Sequence, residues 1–396
     1  MEFNYYIPTR ILFGKGQLAH LHEQALPGKK ALIVTTAGKS VKKYGYLDRL
    51  EEQLKLAKVE YVLFDKILPN PIKAHVMEGA KLAKDSGCDF VIGLGGGSSI
   101  DSAKSIALMA TNDGDYWDYM TNGSGKRQPV KHTPLPIVAI TTTAGTGTEA
   151  DPWTVITHET NQEKLGYGID GTFPVLAIVD PDLMMTVPAD LTAYQGFDAL
   201  FHSTEGYIHK CANVMSDLFA LKSIELIGKY LPTAVHDPGN EEARANMALA
   251  NTLAGIVEVL SGCTSEHTLE HTLSALHPDL PHGAGLIMLS AAYFTHFAKT
   301  GACDQRLIDM ARTLTGAGAL GRKDAGEPMD FVKALVKLQE DCGVSNLKMS
   351  AYGIQRDEME KFVHNVRAMV GDSLSEVDPA PLSDADVLAI YQNSYR

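Results

Sequence analysis

The segment Gly196-Phe197-Asp198-Ala199-Leu200-Phe201-His202 sets a carboxylate and an imidazole four residues apart, so on a helix both side chains leave from one face. A helix cap next to an unrelated histidine gives the same spacing, so this pair alone carries little. Further along, Glu266-His267-Thr268-Leu269-Glu270-His271 places two imidazoles on one helix face, and Pro281-His282-Gly283 opens another apolar run. Four of the chain's 14 histidines fall between residues 267 and 282, a strong local excess. Imidazole and carboxylate donors without thiolates suit Fe(II) or Zn(II), and a catalytic site keeps one position open for a substrate oxygen. Asp198, His202, His267 and His282 are the candidate ligands. His271, one turn from a ligand, is a candidate for proton transfer or for orienting a ligand, and His277 reads as a loop residue.

A second constellation precedes these. Phe90-Val-Ile-Gly-Leu-Gly-Gly-Gly-Ser-Ser-Ile-Asp101 runs from an expected strand into an expected helix. Glycines there let the backbone approach a pyrophosphate, and free N–H groups at the helix start attract its charge. The pattern lacks the third glycine of the usual dinucleotide fingerprint, so a tight strand-to-helix turn explains it equally well in isolation. A second loop, Thr141-Thr-Thr-Ala-Gly-Thr-Gly-Thr-Glu149, also leaves a strand, and two such loops favour a binding crevice. After the first long strand, Thr35-Thr36-Ala37-Gly38-Lys39-Ser40 offers no acid to accept a ribose 2′-hydroxyl and one cation beside it. That tilts the expected dinucleotide towards NADP over NAD.

The elements that must hold these groups follow from hydrophobic patterning. Residues 31–35, 60–64, 89–94, 136–141 and 175–180 are apolar on both faces, as strands of a parallel sheet covered by helices require. After Pro188 the period becomes helical, with Leu218, Leu221, Ile224, Ile227 and Leu231 stopped at Pro232, and Phe331, Leu335 and Leu338 closed by Gly343. The expected fold is therefore α/β followed by all-α. A Rossmann-like dinucleotide-binding domain would span residues 1–185 and a helical metal-binding domain residues 186–396.

The 396 residues are 45% apolar, enough for two cores, and carry a formal charge of −13, which argues against a nucleic-acid or acidic-membrane partner. No apolar run approaches the roughly 18 residues of a membrane span, so cytoplasmic residence is the default expectation. The five scattered cysteines form no C-x-x-C pair and read as small buried hydrophobes.

The order of these motifs resembles the iron-containing (group III) alcohol dehydrogenase family over essentially the full length. The matching pieces are Phe13-Gly14, Pro69-Asn70-Pro71, Gly95-Gly96-Gly97-Ser98 with Asp101 and Lys104, Thr142-Thr143-Ala144-Gly145-Thr146-Gly147, Asp180-Pro181, Asp198 with His202, His267 with His271, and Pro281-His282-Gly283. The resemblance implies cofactor and metal in a cleft between the domains, with Asp198, His202, His267 and His282 holding the metal. His271 would serve catalysis or contact the cofactor. Gly95, Gly96, Gly97 and Ser98 would bind pyrophosphate, with Asp101, Thr142, Thr143, Thr146 and Lys164 around the cofactor. Gly38, with Lys39 and Ser40, stands where NAD-preferring members tend to carry an aspartate. The chain departs from the family in a loop between His271 and His282 that is one residue longer, in Thr148 for a common serine, and in Phe201 and Ser203 beside His202.

The expected activity is hydride transfer between NAD(P) and a small alcohol or aldehyde, with the metal polarising the substrate oxygen and with assembly as a homodimer or higher homo-oligomer. A glycerol-type polyol dehydrogenase, a maleylacetate reductase and a lyase of the dehydroquinate synthase kind are the alternatives. The lyase would need a basic cluster for a carboxylated, phosphorylated substrate, and the helical half shows none around its histidines.

Overall fold

Strands rich in Val, Ile and Leu that are buried on both faces must be covered on both sides, and the first half of the chain does this with a six-stranded parallel sheet. Its strands are β1 (Arg10–Phe13), β2 (Lys30–Thr36), β3 (Glu60–Ile67), β4 (Phe90–Gly95), β5 (Ile137–Thr141) and β8 (Leu176–Val179), in the spatial order β1-β8-β5-β4-β2-β3. An antiparallel pair, β6 (Thr154–His158) and β7 (Glu163–Tyr167), stands apart from it. Helices α1 (Ser40–Lys43), α2 (Tyr46–Leu56), α3 (Lys73–Ser86) and α4 (Gly97–Thr111) complete this unit. This computed structural model describes residues 3–316, 326–371 and 373–396. It separates into two units, Tyr6–Thr186 and Val187–Arg396, the second also taking in residues 3–5.

The five apolar runs read from the sequence are all strands of the main sheet. β1 and the β6–β7 pair are not anticipated: β1 is four residues long and half-exposed at the sheet edge, so its residues carry no buried-strand pattern. The core on one face gathers Leu32's neighbours Ala31 and Ile33 with Phe90, Ile92, Leu94, Val138, Ile140 and Ile178 under Leu47, Leu50 and Leu54 of α2. On the other face α4 lies so close that a Cβ on Gly93 would stand 2.9 Å from the Ile100 Cα and 3.1 Å from the Ala103 Cβ.

Among the described residues the second unit is wholly helical: α5 (Ala189–Ile208), α6 (Val214–His236), α7 (Glu241–Leu260), α8 (Ser265–Leu276), α9 (His282–Thr300), α10 (Asp304–Leu314), α11 (Met329–Asp341), α12 (Met359–Val370), α13 (Leu374–Val377) and α14 (Asp384–Ser394). One expectation is corrected here, because α6 does not stop at Pro232 but continues to His236. Proline within a helix forfeits a hydrogen bond and crowds the carbonyl four residues back, at a cost of about 3 kcal/mol. Burial of Leu231, Ala234 and Val235 on either side of it holds the last turn in place. The residue four back is Gly228, which has no side chain and packs on α10, where a Cβ would meet the Leu314 carbonyl oxygen at 2.1 Å. No single helix among the described residues is long and apolar enough to cross a membrane.

Because the Gly93 contact is with backbone, Gly93→Ala is expected to destabilise the α/β unit by about 1–3 kcal/mol. A lower urea midpoint with an unchanged slope would show it.

Candidate metal centre and dinucleotide loops

Asp198 and His202 lie in the middle of α5, four residues apart and both buried. Two other helices bring their partners to this face. α8 contributes His267 in its first turn, and α9 begins on His282 with Pro281 as its cap. Gly283 explains the approach: a Cβ there would lie 2.3 Å from the Tyr194 carbonyl oxygen of α5, so only glycine lets the start of α9 meet α5 this closely.

The donor atoms converge. Asp198 Oδ1 is 3.5 Å from His267 Nε2, 3.6 Å from His282 Nε2 and 3.7 Å from His202 Nδ1. Asp198 Oδ1 and His267 Nε2 are both buried with no hydrogen-bond partner. Charge-assisted hydrogen bonds close to about 2.7–2.9 Å, whereas ligand atoms held by bonds of about 2.0–2.2 Å around a tetrahedral cation stand about 3.4 Å apart. The observed separations match the second figure, so these atoms could hold a metal ion. Asp198, His267 and His282 form one possible ligand set, two imidazoles and one carboxylate, which suits Fe(II). His202 stacks on His267 with ring centroids 4.2 Å apart, and its Nε2 is 3.5 Å from Glu258 Oε1.

Carboxylates behind the rings fix which nitrogen faces inward. Glu205, one turn beyond His202 on α5, bonds His267 Nδ1, and Glu270 of α8 bonds His282 Nδ1. Each bond orients its ring and leaves Nε2 towards Asp198. Burial pushes the Asp198 carboxyl up, but the neighbouring His202, His267 and His282 outweigh it and hold the group well below the usual range. Burial likewise opposes protonation of His267, yet the Glu205 carboxylate raises it well above an ordinary imidazole. Glu266, wholly buried, is raised well above an ordinary carboxyl by burial and then by Glu205. Glu205 and Glu270 are not singled out in the sequence. Their positions three residues after His202 and three after His267 are the signal that marks them.

His271 lies at the edge of the cluster, partly exposed, its ring 5.3 Å from that of His282 and 6.3 Å from that of His267. It groups with Glu270 and His282 rather than with Asp198. His277 caps α8 and pairs with Glu358 at 3.1 Å, away from the candidate ligands' network.

In the other unit, the order β5-β4-β2 makes neighbours of three parallel strands, so the loops after them leave from one edge of the sheet. The chain steps from β3 back across β2 to β4, which makes this the point where strand order reverses and nucleotides bind in such sheets. After β4, Gly95 adopts φ +146°, and Gly96 caps α4 without a side-chain hydrogen bond, leaving the first N–H groups of the helix uncapped. After β5 the threonines close on this loop. A Cβ on Gly96 would stand 2.9 Å from Thr143 Cγ2, and one on Gly97 would stand 2.5 Å from Thr146 Cγ2. The Thr142 N–H donates to the Gly95 carbonyl, and Ser98 Oγ donates to the Pro69 carbonyl. Gly38, Lys39 and Ser40 follow β2 at the start of α1 and are exposed.

Asp101 and Lys164 are placed differently. The Asp101 carboxylate is turned inward, accepting from Thr148 Oγ1 at 2.7 Å and from the Val155 N–H at 2.9 Å. Lys104, fully buried, donates to Thr148, Asp151 and the Trp153 carbonyl. This network ties the threonine loop to α4 and to the β6–β7 pair. Lys164 on β7 is buried and reaches Asn70 at 3.4 Å.

Comparison with known proteins agrees with both halves. Residues 8–181 match the model of the iron-containing alcohol dehydrogenase family, and residues 192–395 match the C-terminal model of the Fe-containing alcohol dehydrogenase family. The chain is 32% identical to the NAD-dependent methanol dehydrogenase of Bacillus methanolicus over 99% of each. It is also 32% identical to the 1,3-propanediol dehydrogenase of Klebsiella pneumoniae, again over 99% of each. Among solved structures, an archaeal halo-thermophilic Red Sea brine pool alcohol dehydrogenase bound to NZQ superposes with a TM-score of 0.92 at 32% identity, over 100% of this chain and 99% of that one. The NADH-dependent butanol dehydrogenase A of Thermotoga maritima superposes with a TM-score of 0.86 at 28% identity, over 100% and 99%.

Glu205→Gln keeps the shape of the side chain but weakens its hold on His267 Nδ1. Iron retention against a chelator is expected to fall by about ten- to a hundredfold, with the helical circular dichroism unchanged.

Proposed function

This chain belongs to the iron-containing alcohol dehydrogenase family and is an oxidoreductase acting on CH–OH groups, and from that premise we propose how its two units share the reaction. Residues 1–185 bind the dinucleotide through Gly95, Gly96, Gly97, Ser98, Thr142, Thr143 and Thr146. Residues 186–396 hold a divalent metal, Fe(II) or Zn(II), through Asp198, His202, His267 and His282. The observation that carries the metal assignment is the spacing of Asp198 Oδ1 from His267 Nε2 and His282 Nε2, 3.5 and 3.6 Å, with no hydrogen bond claiming the first two atoms.

A metal bound there supplies a Lewis acid for the substrate oxygen, and the nicotinamide supplies the hydride acceptor or donor. The chain's own residues do the rest. Glu205 and Glu270 keep the ligand rings aimed, so no reorientation is needed when substrate arrives. His271, partly exposed and beside His282, is placed to pass the hydroxyl proton towards solvent. The uncapped N-terminus of α4 offers its N–H groups to a pyrophosphate. Asp101 and Lys104 support this by anchoring Thr148 of the threonine loop and Asp151 just beyond it, and Lys164 of β7 acts on the Asp101 carboxylate through its charge.

The substrate class is a small primary alcohol or the matching aldehyde, in keeping with relatives named for methanol, butanol and 1,3-propanediol. Those names do not favour the lyase alternative. Two of these relatives are named for NAD or NADH. The loop after β2 extends the reading to NADP, since residues 36–40 carry no carboxylate to repel a 2′-phosphate and Lys39 is exposed beside Gly38 and Ser40. All five thiols are unpaired, which suits a reducing cytoplasm. Homodimer or higher assembly belongs to the same reading and is measured by light scattering.

Turnover followed by reduced-nicotinamide absorbance, over a panel of alcohols and aldehydes, is expected to vanish on chelation and return with Fe(II) or Zn(II). Activity indifferent to metal removal contradicts the assignment. Lys39→Asp is expected to move the NADP-to-NAD ratio of kcat/KM towards NAD by roughly tenfold, the size of a 1–2 kcal/mol charge effect.

A further inference from the structure

Cys263 stands in the short connection between α7 and α8, after Gly262 at φ +93°, a backbone angle that glycine adopts readily. Its sulfur lies within ligand range of the ring nitrogens of His202 and His267, so the three form a second grouping beside that of Asp198, His267 and His282. Glu258, from the last turn of α7, brings a carboxylate oxygen to 3.5 Å from His202 Nε2. The two groupings share His267. With Nδ1 committed to Glu205, that ring has one nitrogen left to give, Nε2, which is buried and has no hydrogen-bond partner.

We propose that the metal centre has two adjoining seats that share His202 and His267: one of oxygen and nitrogen donors completed by Asp198 and His282, and one bearing a thiolate, completed by Cys263. The inference rests on reading Asp198 and its histidines as a metal centre. The seats exclude one another, because a single Nε2 serves both. They also differ in chemistry. Carboxylate and imidazole accept Fe(II), Zn(II) and other borderline ions, whereas a thiolate beside two imidazoles adds affinity for softer ions such as Cd(II) and gives bound Co(II) a sulfur ligand. Capture at the thiolate seat forms a metal–sulfur bond and releases the thiol proton to solvent, with no change in oxidation state. A soft ion is therefore drawn to the Cys263 side, away from Asp198 and His282. His202 turns one nitrogen to Asp198 and the other to Glu258, so it borders both seats.

Adding Co(II) to the chelator-stripped full chain separates the possibilities by absorption. The expected result is visible d–d bands together with a near-ultraviolet sulfur-to-cobalt charge-transfer band. That band is expected to be lost in Cys263→Ser and to persist in Asp198→Asn. Visible bands without charge transfer in the unaltered protein would overturn the thiolate seat and leave the Asp198 centre standing. So would a charge-transfer band surviving Cys263→Ser, which would come from another of the five thiols. Failure to take up Co(II) at all, checked by equilibrium dialysis, would remove the metal centre itself and this inference with it.

Discussion

The helical unit is organised around one electrostatic constraint, a buried carboxylate facing three imidazoles. Asp198 Oδ1 has three histidine nitrogens between 3.5 and 3.7 Å away and hydrogen-bonds to none of them. Polar atoms kept this close yet apart in a buried site cost free energy unless something between them satisfies all at once. A divalent cation would do so, and the carboxylates of Glu205 and Glu270 behind the rings are the partners that metal-binding imidazoles commonly have. The glycines follow from the same demand. Gly283 lets α9 touch the backbone of α5, and Gly285 makes room over Glu270, where a Cβ would meet its Cγ at 2.7 Å.

The α/β unit meets a different constraint, the close approach of two backbone loops at the start of α4. Two loops from neighbouring parallel strands are pressed together at Gly96 against Thr143 and Gly97 against Thr146, so larger side chains are excluded beside the uncapped first N–H groups of α4. The loops are held from behind by a buried network in which one cation, Lys104, serves Asp151 directly and Asp101 through Thr148. Burial raises the Asp151 carboxyl to about 7, with Lys104 working against it. Such a network fixes the loop from beneath without using any group that faces solvent.

Much of this was legible in the sequence because it is written in local periods. Strands buried on both faces announce themselves as unbroken apolar runs, and Asp198 with His202 or His267 with His271 share faces by spacing alone. What was not legible depends on distance in three dimensions. β1 is too short and exposed to show a pattern, and the β6–β7 pair lies among polar residues. Pro232 signals a stop, and only the packing around α6 carries the helix past it. Glu205 and Glu270 look like ordinary helix-surface glutamates until α8 and α9 fold over them. Cys263 reads as a small hydrophobe until its neighbours are seen to be His202 and His267.

Anomalous diffraction at the iron edge, from crystals of the Fe(II)-loaded chain, tests the central claim most directly. One peak is expected at the point where Asp198 Oδ1, His267 Nε2 and His282 Nε2 converge. Iron absent from that point, or bound elsewhere with these three side chains turned apart, would contradict the account.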